Sequence, residues 1–129
     1  MRAGKNVYCE KPLAMNLADA REILRVARET GVRHQMTFEY RFIPAIMRAK
    51  QLVDEGFLGR VFHFRATYLH SGYVDPSRPV SWRLDKQEGG GGVLFDLGAH
   101  VIDLLLHLLG EAQSVFATTE TFIKERPVA

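Results

Sequence analysis

Cysteine is nearly absent: Cys9 stands alone among 129 residues, which excludes an internal disulfide and a cysteine-built zinc site, so a reducing, cytoplasmic setting is the expectation. Charge of one sign is not in excess either. Seventeen Lys and Arg stand against 15 Asp and Glu, a formal net charge of +2, and the basic residues are scattered, so no nucleic-acid partner is expected. No apolar run separates Met1 from Glu10, so no signal peptide and no export are expected. Repeats and low-complexity tracts are missing as well. What remains is a chain with 47% hydrophobic and 25% charged residues, the balance of an ordinary globular protein. Its length allows one domain or parts of two, at about 100–200 residues per domain.

Asn6 to Cys9 reads as a short strand bounded by Gly4 and Pro12. Asn16 is a good N-cap, Leu17, Ala20, Ile23, Leu24 and Ala27 recur at helical spacing, and Gly31 supplies a stop, which predicts a helix over about residues 17 to 30. Val32 to Phe38 is strand-like again. Strand, helix and strand within about thirty residues make the size of a βαβ unit, which belongs to a parallel sheet.

Beyond this point the pattern changes. Pro44 suits a first helical turn, Ile43, Ile46, Met47, Leu52 and Val53 form one apolar face, and Gly56 ends the helix. From Val61 to His70, Phe62, Phe64, Ala66 and Tyr68 alternate with His63, Arg65 and Thr67, the period of a strand with one buried side. Ser71 to Glu88 reads as a long loop of the kind that carries function. Val93 to Leu109 reads as a buried core helix capped by Gly110, and Val115 to Ile123 as a closing strand. The helix is too short, at 17 residues against the roughly 20 needed, and too rich in titratable groups to span a membrane. The expected fold class is therefore α/β plus α+β: a terminal βαβ unit joined to a partial, largely antiparallel open sheet with a packed core helix. Its open sheet edges favour self-association.

Asp96, His100, Asp103 and His107 are spaced four, three and four apart, which places them on one stripe of a helix. Burying four such groups without partners costs several kcal/mol, so they must face each other, a cavity, a ligand or water. A carboxylate one turn before a histidine fixes its tautomer and raises its basicity, which suits His100 to take a proton from a substrate hydroxyl. A polar stripe facing water is the alternative. Zinc or manganese on the same stripe is disfavoured, because neither a cysteine pair nor a His-Glu-x-x-His motif completes a ligand set.

Gly89 to Gly92 is neither a dinucleotide fingerprint nor a P-loop. Its expected use is to let backbone approach a ligand at a helix N-terminus. Lys11 follows the first strand directly, where ligand contacts sit in open α/β sheets. Lys11-Pro12 also permits a cis peptide.

Gly4-Lys5-Asn6-Val7-Tyr8-Cys9-Glu10-Lys11-Pro12-Leu13-Ala14 and Gly90-Gly91-Gly92-Val93-Leu94-Phe95-Asp96-Leu97-Gly98-Ala99-His100-Val101-Ile102-Asp103 resemble the two signature segments of the Gfo/Idh/MocA oxidoreductases. Tyr40-Arg41-Phe42-Ile43-Pro44, Gly56-Phe57-Leu58-Gly59-Arg60-Val61 and Ser81-Trp82-Arg83 resemble further landmarks in the same order. The resemblance implies residues 1–38 as the C-terminal part of an NAD(P)-binding Rossmann domain. It implies residues 39–129 as the N-terminal part of an α+β substrate and oligomerisation domain. The implied activity is hydride transfer between NAD or NADP and a hydroxyl or carbonyl carbon of a sugar, polyol or similar small molecule.

On this resemblance Lys11, Asp96 and His100 are catalytic. His100 would be the general base, Asp96 would hold or polarise it, and Lys11 would stabilise charge on oxygen. Glu10, Lys11, Pro12 and Arg41 would bind cofactor, and Trp82, Arg83, Asp96 and His100 substrate; no metal is implied. Thr37 and Glu39 depart from the Gly and Asn frequent there in the family. The family's phosphate-binding turn is not in this chain, so the isolated chain is expected to be inactive, with a homo-oligomer and no membrane partner. A non-catalytic module that self-associates through sheet edges is the alternative function. The catalytic reading requires Lys11 and His100 to converge on one hollow.

Overall fold

The computed structural model describes residues 1–128. Strand β1 (Val7–Cys9) pairs in parallel with β2 (His34–Met36), in the register Val7 to His34, Tyr8 to Gln35 and Cys9 to Met36. Helix α1 (Leu17–Thr30) makes the crossover between them. Its ends follow from local chemistry: the Asn16 side-chain oxygen accepts the Asp19 N–H at 2.9 Å, and Gly31 turns left-handed at φ 61°. Beyond the last ladder pair, Thr37 donates from both its N–H, at 2.9 Å, and its hydroxyl, at 3.2 Å, to the Cys9 carbonyl. The carboxyl ends of the two strands are thus tied side by side, and the Lys11–Pro12 peptide that leaves β1 is cis.

A short 3₁₀ turn, Glu39–Phe42, leads into α2 (Pro44–Asp54), where Pro44 occupies the first turn and its missing N–H is no loss. Further 3₁₀ turns lie at Ser71–Tyr73 and Trp82–Leu84. Asp85 then caps the one-turn helix α3 (Lys86–Gly89) through the N–H groups of Gln87 and Glu88. After the glycine run the chain winds as a wide π-helical stretch, Leu94–Gly98, and tightens into α4 (Ala99–Leu109). Helix α4 packs against α2 and the Glu39–Phe42 turn.

The expected antiparallel sheet is not observed. Among the described residues the only ladder is the parallel β1–β2 pair, and neither Val61–His70 nor Val115–Ile123 belongs to one. Alternation marks a chain that can be a strand, but a strand exists only where a second strand completes its hydrogen bonds. The expected packed core helix is inverted as well. On α4 the buried residues are His100 and Asp103, whereas Ile102 and, on the preceding wide turn, Val93 and Leu94 are exposed. Ion pairing and stacking, described below, draw the polar stripe inward.

The 24-residue stretch Lys86–Leu109 is long and apolar enough to cross a membrane by length and composition. It is not one continuous helix, because Gly90 and Gly92 interrupt it at φ 68° and 54°.

Candidate active site

Lys11 leaves the carboxyl end of β1 and reaches the π-helical stretch before α4. Its Nζ donates to the Asp96 carbonyl oxygen at 2.7 Å and to Asp96 Oδ1 at 2.9 Å. Both side chains are largely sheltered, with 15% and 26% of their surface exposed, so water screens this pair less than it screens a surface pair.

Two turns further on, Arg41 makes the second tie to the helix. Its Nε donates to Asp103 Oδ2 at 2.8 Å and to Oδ1 at 3.1 Å, and Nη2 also donates to Oδ1. Asp103 is buried, and the bidentate guanidinium supplies the partner that a buried carboxylate requires. Asp103 in turn raises the Arg41 pKa through this hydrogen bond.

His100 lies between these two ties and is buried, 5% exposed. Its Nδ1 is buried and has no hydrogen-bond partner. Tyr40 stacks on the imidazole with ring centroids 4.2 Å apart and planes 18° from parallel, and Phe38 meets it edge-on at 6.2 Å. The Tyr40 hydroxyl is 2.8 Å from that of Tyr68. That hydrogen bond, with burial second, pushes the Tyr40 phenol up to about 12.

Residues 1–38 match the NAD-binding Rossmann fold of the oxidoreductase family, and residues 46–129 match the GFO/IDH/MocA C-terminal domain. The chain belongs to the GFO/IDH/MocA family. Levoglucosan dehydrogenase of Pseudarthrobacter phenanthrenivorans is 40% identical over 98% of this chain and 32% of its own length. An NAD binding oxidoreductase from Klebsiella pneumoniae superposes with a TM-score of 0.93 at 43% identity, over 98% of this chain and 34% of that one. A levoglucosan dehydrogenase solved with NADH and levoglucosan superposes with a TM-score of 0.94 at 40% identity, over 98% and 34%. The chain spans about a third of the length of the relatives it matches.

Within this GFO/IDH/MocA chain the site differs in three respects from the arrangement the residue pattern led one to expect. Asp96 was expected to hold His100, but its carboxylate is bound to Lys11. The stretch Leu94–Gly98 that carries Asp96 winds as a π-helix, and Lys11 reaches it from the end of β1. Arg41 was expected at the cofactor, but its guanidinium is engaged by Asp103. Finally, among the described residues shallow hollows lie beside Tyr68, Val93, Leu94, Leu97, Gly98, Val101 and Ile102 and beside Met1, Arg2, Glu22, Ile23 and Val26. Neither is lined by Lys11 or His100: the amine closes on Asp96 and Tyr40 covers the imidazole face. Neither is therefore the hollow these two groups were expected to share, and what joins them is the helical run from Leu94 to Leu109.

The glycine run serves the protein's own packing. A methyl on Gly91 would lie 1.9 Å from Phe95 Cδ1, one on Gly90 2.7 Å from Met15 Cε, and one on Gly89 2.6 Å from the Arg83 carbonyl oxygen. Met15 and the Trp82–Leu84 turn thereby close onto the entry to the helix. Trp82 is 56% exposed, with the Arg83 guanidinium 4.5 Å from the centre of its ring. Glu10 is exposed beside Lys11.

Tyr40 and Tyr68 are the residues that sequence reasoning passed over. Tyr40 had a signal, since it precedes Arg41 just beyond β2. Tyr68 had none, because only the fold brings it to Tyr40. No group of three or more His, Cys, Asp or Glu that could hold a metal occurs among the described residues.

Proposed function

We propose that this chain forms the catalytic junction of an NAD(P)-dependent oxidoreductase moving hydride between nicotinamide and a hydroxyl or carbonyl carbon of a sugar, polyol or similar small molecule. The observation that carries this reading is the contact of Lys11 Nζ with Asp96 Oδ1 at 2.9 Å, which joins the carboxyl end of a parallel strand to the helix bearing His100. The relatives support it: one is a levoglucosan dehydrogenase, and another holds NADH and levoglucosan. In this reading residues 1–38 end the cofactor domain and residues 39–129 open the substrate domain.

The residues present fit the nicotinamide end of such a cofactor. Ligands of open α/β sheets sit at the carboxyl ends of the strands, where Glu10, Lys11 and Pro12 lie and where Thr37 ties β2 to β1. Nicotinamide, when bound, supplies the hydride acceptor or donor. Lys11 stabilises negative charge developing on the substrate oxygen, and Asp96 aims the amine. His100, with an unpartnered ring nitrogen, takes or returns the hydroxyl proton. Trp82 and Arg83 offer an exposed ring and a cation to a polyhydroxylated substrate. The isolated chain is expected to show no turnover.

The test is His100→Ala in the longest gene product that contains this chain. The expected loss is about 10²–10⁴-fold in kcat with a smaller change in KM. An unchanged kcat overturns the reading.

A second reading, a self-associating module, is favoured by the lone two-stranded sheet and by the exposure of Phe62, Leu69, Phe116 and Phe122. Light scattering that finds a monomer over a wide concentration range would remove it.

A further inference from the structure

The imidazole used by the dehydrogenase reading has no carboxylate to orient it. Asp96, four positions before it, is bound to Lys11, and Asp103, three positions after it, is bound to Arg41. His100 Nδ1 is buried and unpartnered. Something other than a hydrogen bond must therefore hold the ring plane.

The group in contact with that plane is Tyr40, nearly parallel at 4.2 Å. Tyr40 is itself fixed from three directions. Its hydroxyl meets Tyr68 at 2.8 Å, its carbonyl accepts the Ile43 N–H at 3.2 Å, and its neighbour Arg41 is clamped to Asp103 on the helix that carries His100. We propose that Tyr40 is the positioning residue for His100 and that Tyr68 is its brace. A carboxylate would orient the imidazole by occupying one ring nitrogen. A stacked aromatic ring fixes the plane without occupying either ring nitrogen. This inference takes its catalytic meaning from the proposed role of His100, while its geometry stands independently.

The test is nuclear magnetic resonance of the 129-residue chain labelled at histidine. Five histidines are present, and His100→Gln assigns the signal in question. A ring lying over the face of Tyr40 is shielded, so the carbon-bound protons of His100 are expected upfield of those of the exposed His34 and His63. Tyr40→Phe keeps the ring but loses the bond to Tyr68, so the His100 signals are expected partway downfield, as in Tyr68→Phe below. Tyr40→Leu removes the ring and moves the signals to the positions of exposed histidines.

Unmoved His100 signals in Tyr40→Leu, or wild-type signals already at the exposed positions, overturn the proposal. Tyr68→Phe leaves both stacked rings in place, so it reports even where Tyr40→Leu does not fold. It is expected to move the His100 signals partway downfield as the brace is lost, and unmoved signals there overturn the role of Tyr68. These signals are read without cofactor or substrate. An unstacked His100 would leave the dehydrogenase reading standing, and an unchanged kcat in His100→Ala would leave the stack standing.

Discussion

Lys11 Nζ holds Asp96 at two points, the carbonyl oxygen at 2.7 Å and Oδ1 at 2.9 Å, across 85 positions of chain. The main-chain contact fixes where the helix begins relative to β1, and the side-chain contact fixes where the carboxylate points. A substitution at Asp96 removes only the second. With Arg41 bound to Asp103 two turns later, the polar side of the helix is fastened at both ends, with His100 between.

The two-point attachment predicts a measurable coupling. In a double-mutant cycle with Lys11→Met and Asp96→Asn, urea unfolding is expected to give about 1–3 kcal/mol of interaction energy, the range for charged hydrogen bonds sheltered from water. The exposed Arg25–Glu22 pair on α1, at 2.7 Å, is expected to give a clearly smaller value in the same experiment, because water screens it. Equal values would mean that shelter adds nothing at Lys11.

Removing Arg41 leaves a buried charge behind. Arg41→Met strands the Asp103 carboxylate, whose side chain is 6% exposed, and the expected cost is about 3–5 kcal/mol. Asp103→Leu in the same chain should restore most of it, because the penalty belongs to the orphaned charge. Failure of the second substitution to recover stability would locate the loss in the packing of the arginine stem.

Tyr40 gives a pH dependence with a defined sign. Its ordinary value is 10.0, and in the fold it is pushed up to about 12, chiefly by the hydrogen bond to Tyr68. The fold thus favours the neutral phenol. The resulting stability is complete below pH 10 and is lost as pH rises through the folded value of about 12. Tyrosinate absorbance is expected to show one of the four tyrosines titrating late, and Tyr68→Phe should bring that step back toward 10.0. Four coincident titrations in the wild type would contradict the Tyr40–Tyr68 bond.

At Gly91 even a methyl is excluded, since it would lie 1.9 Å from the Phe95 ring. Gly91→Ala is expected to cost about 1–3 kcal/mol as the ring is displaced. The same change at Gly31, where nothing lies within 4 Å but φ is +61°, tests backbone strain alone, expected at about 1 kcal/mol. Calorimetry on both variants separates crowding from strain.

Elements whose causes lie within a few residues were legible before any coordinates. Asn16 and Gly31 bound α1 at Leu17 and Thr30, Pro44 opens α2, and the βαβ order follows from the spacing. Asp96, His100 and Lys11 stood out as residue types in telling places. Less was legible in Val61–His70, where alternation suggested a strand that no partner completes. The π-helical winding of Leu94–Gly98 left no mark in the spacing.

The sequence by itself determined the parallel βαβ unit, the helix ends and the set of polar groups on the last helix, because caps, turns and periodicity act over one or two turns of chain. Tertiary structure alone decided which of those groups are partners: Asp96 with Lys11, Asp103 with Arg41, and His100 with Tyr40. A buried charge takes the nearest partner in space, and distance in space between residues 60 to 90 positions apart is set by packing, which no local pattern records.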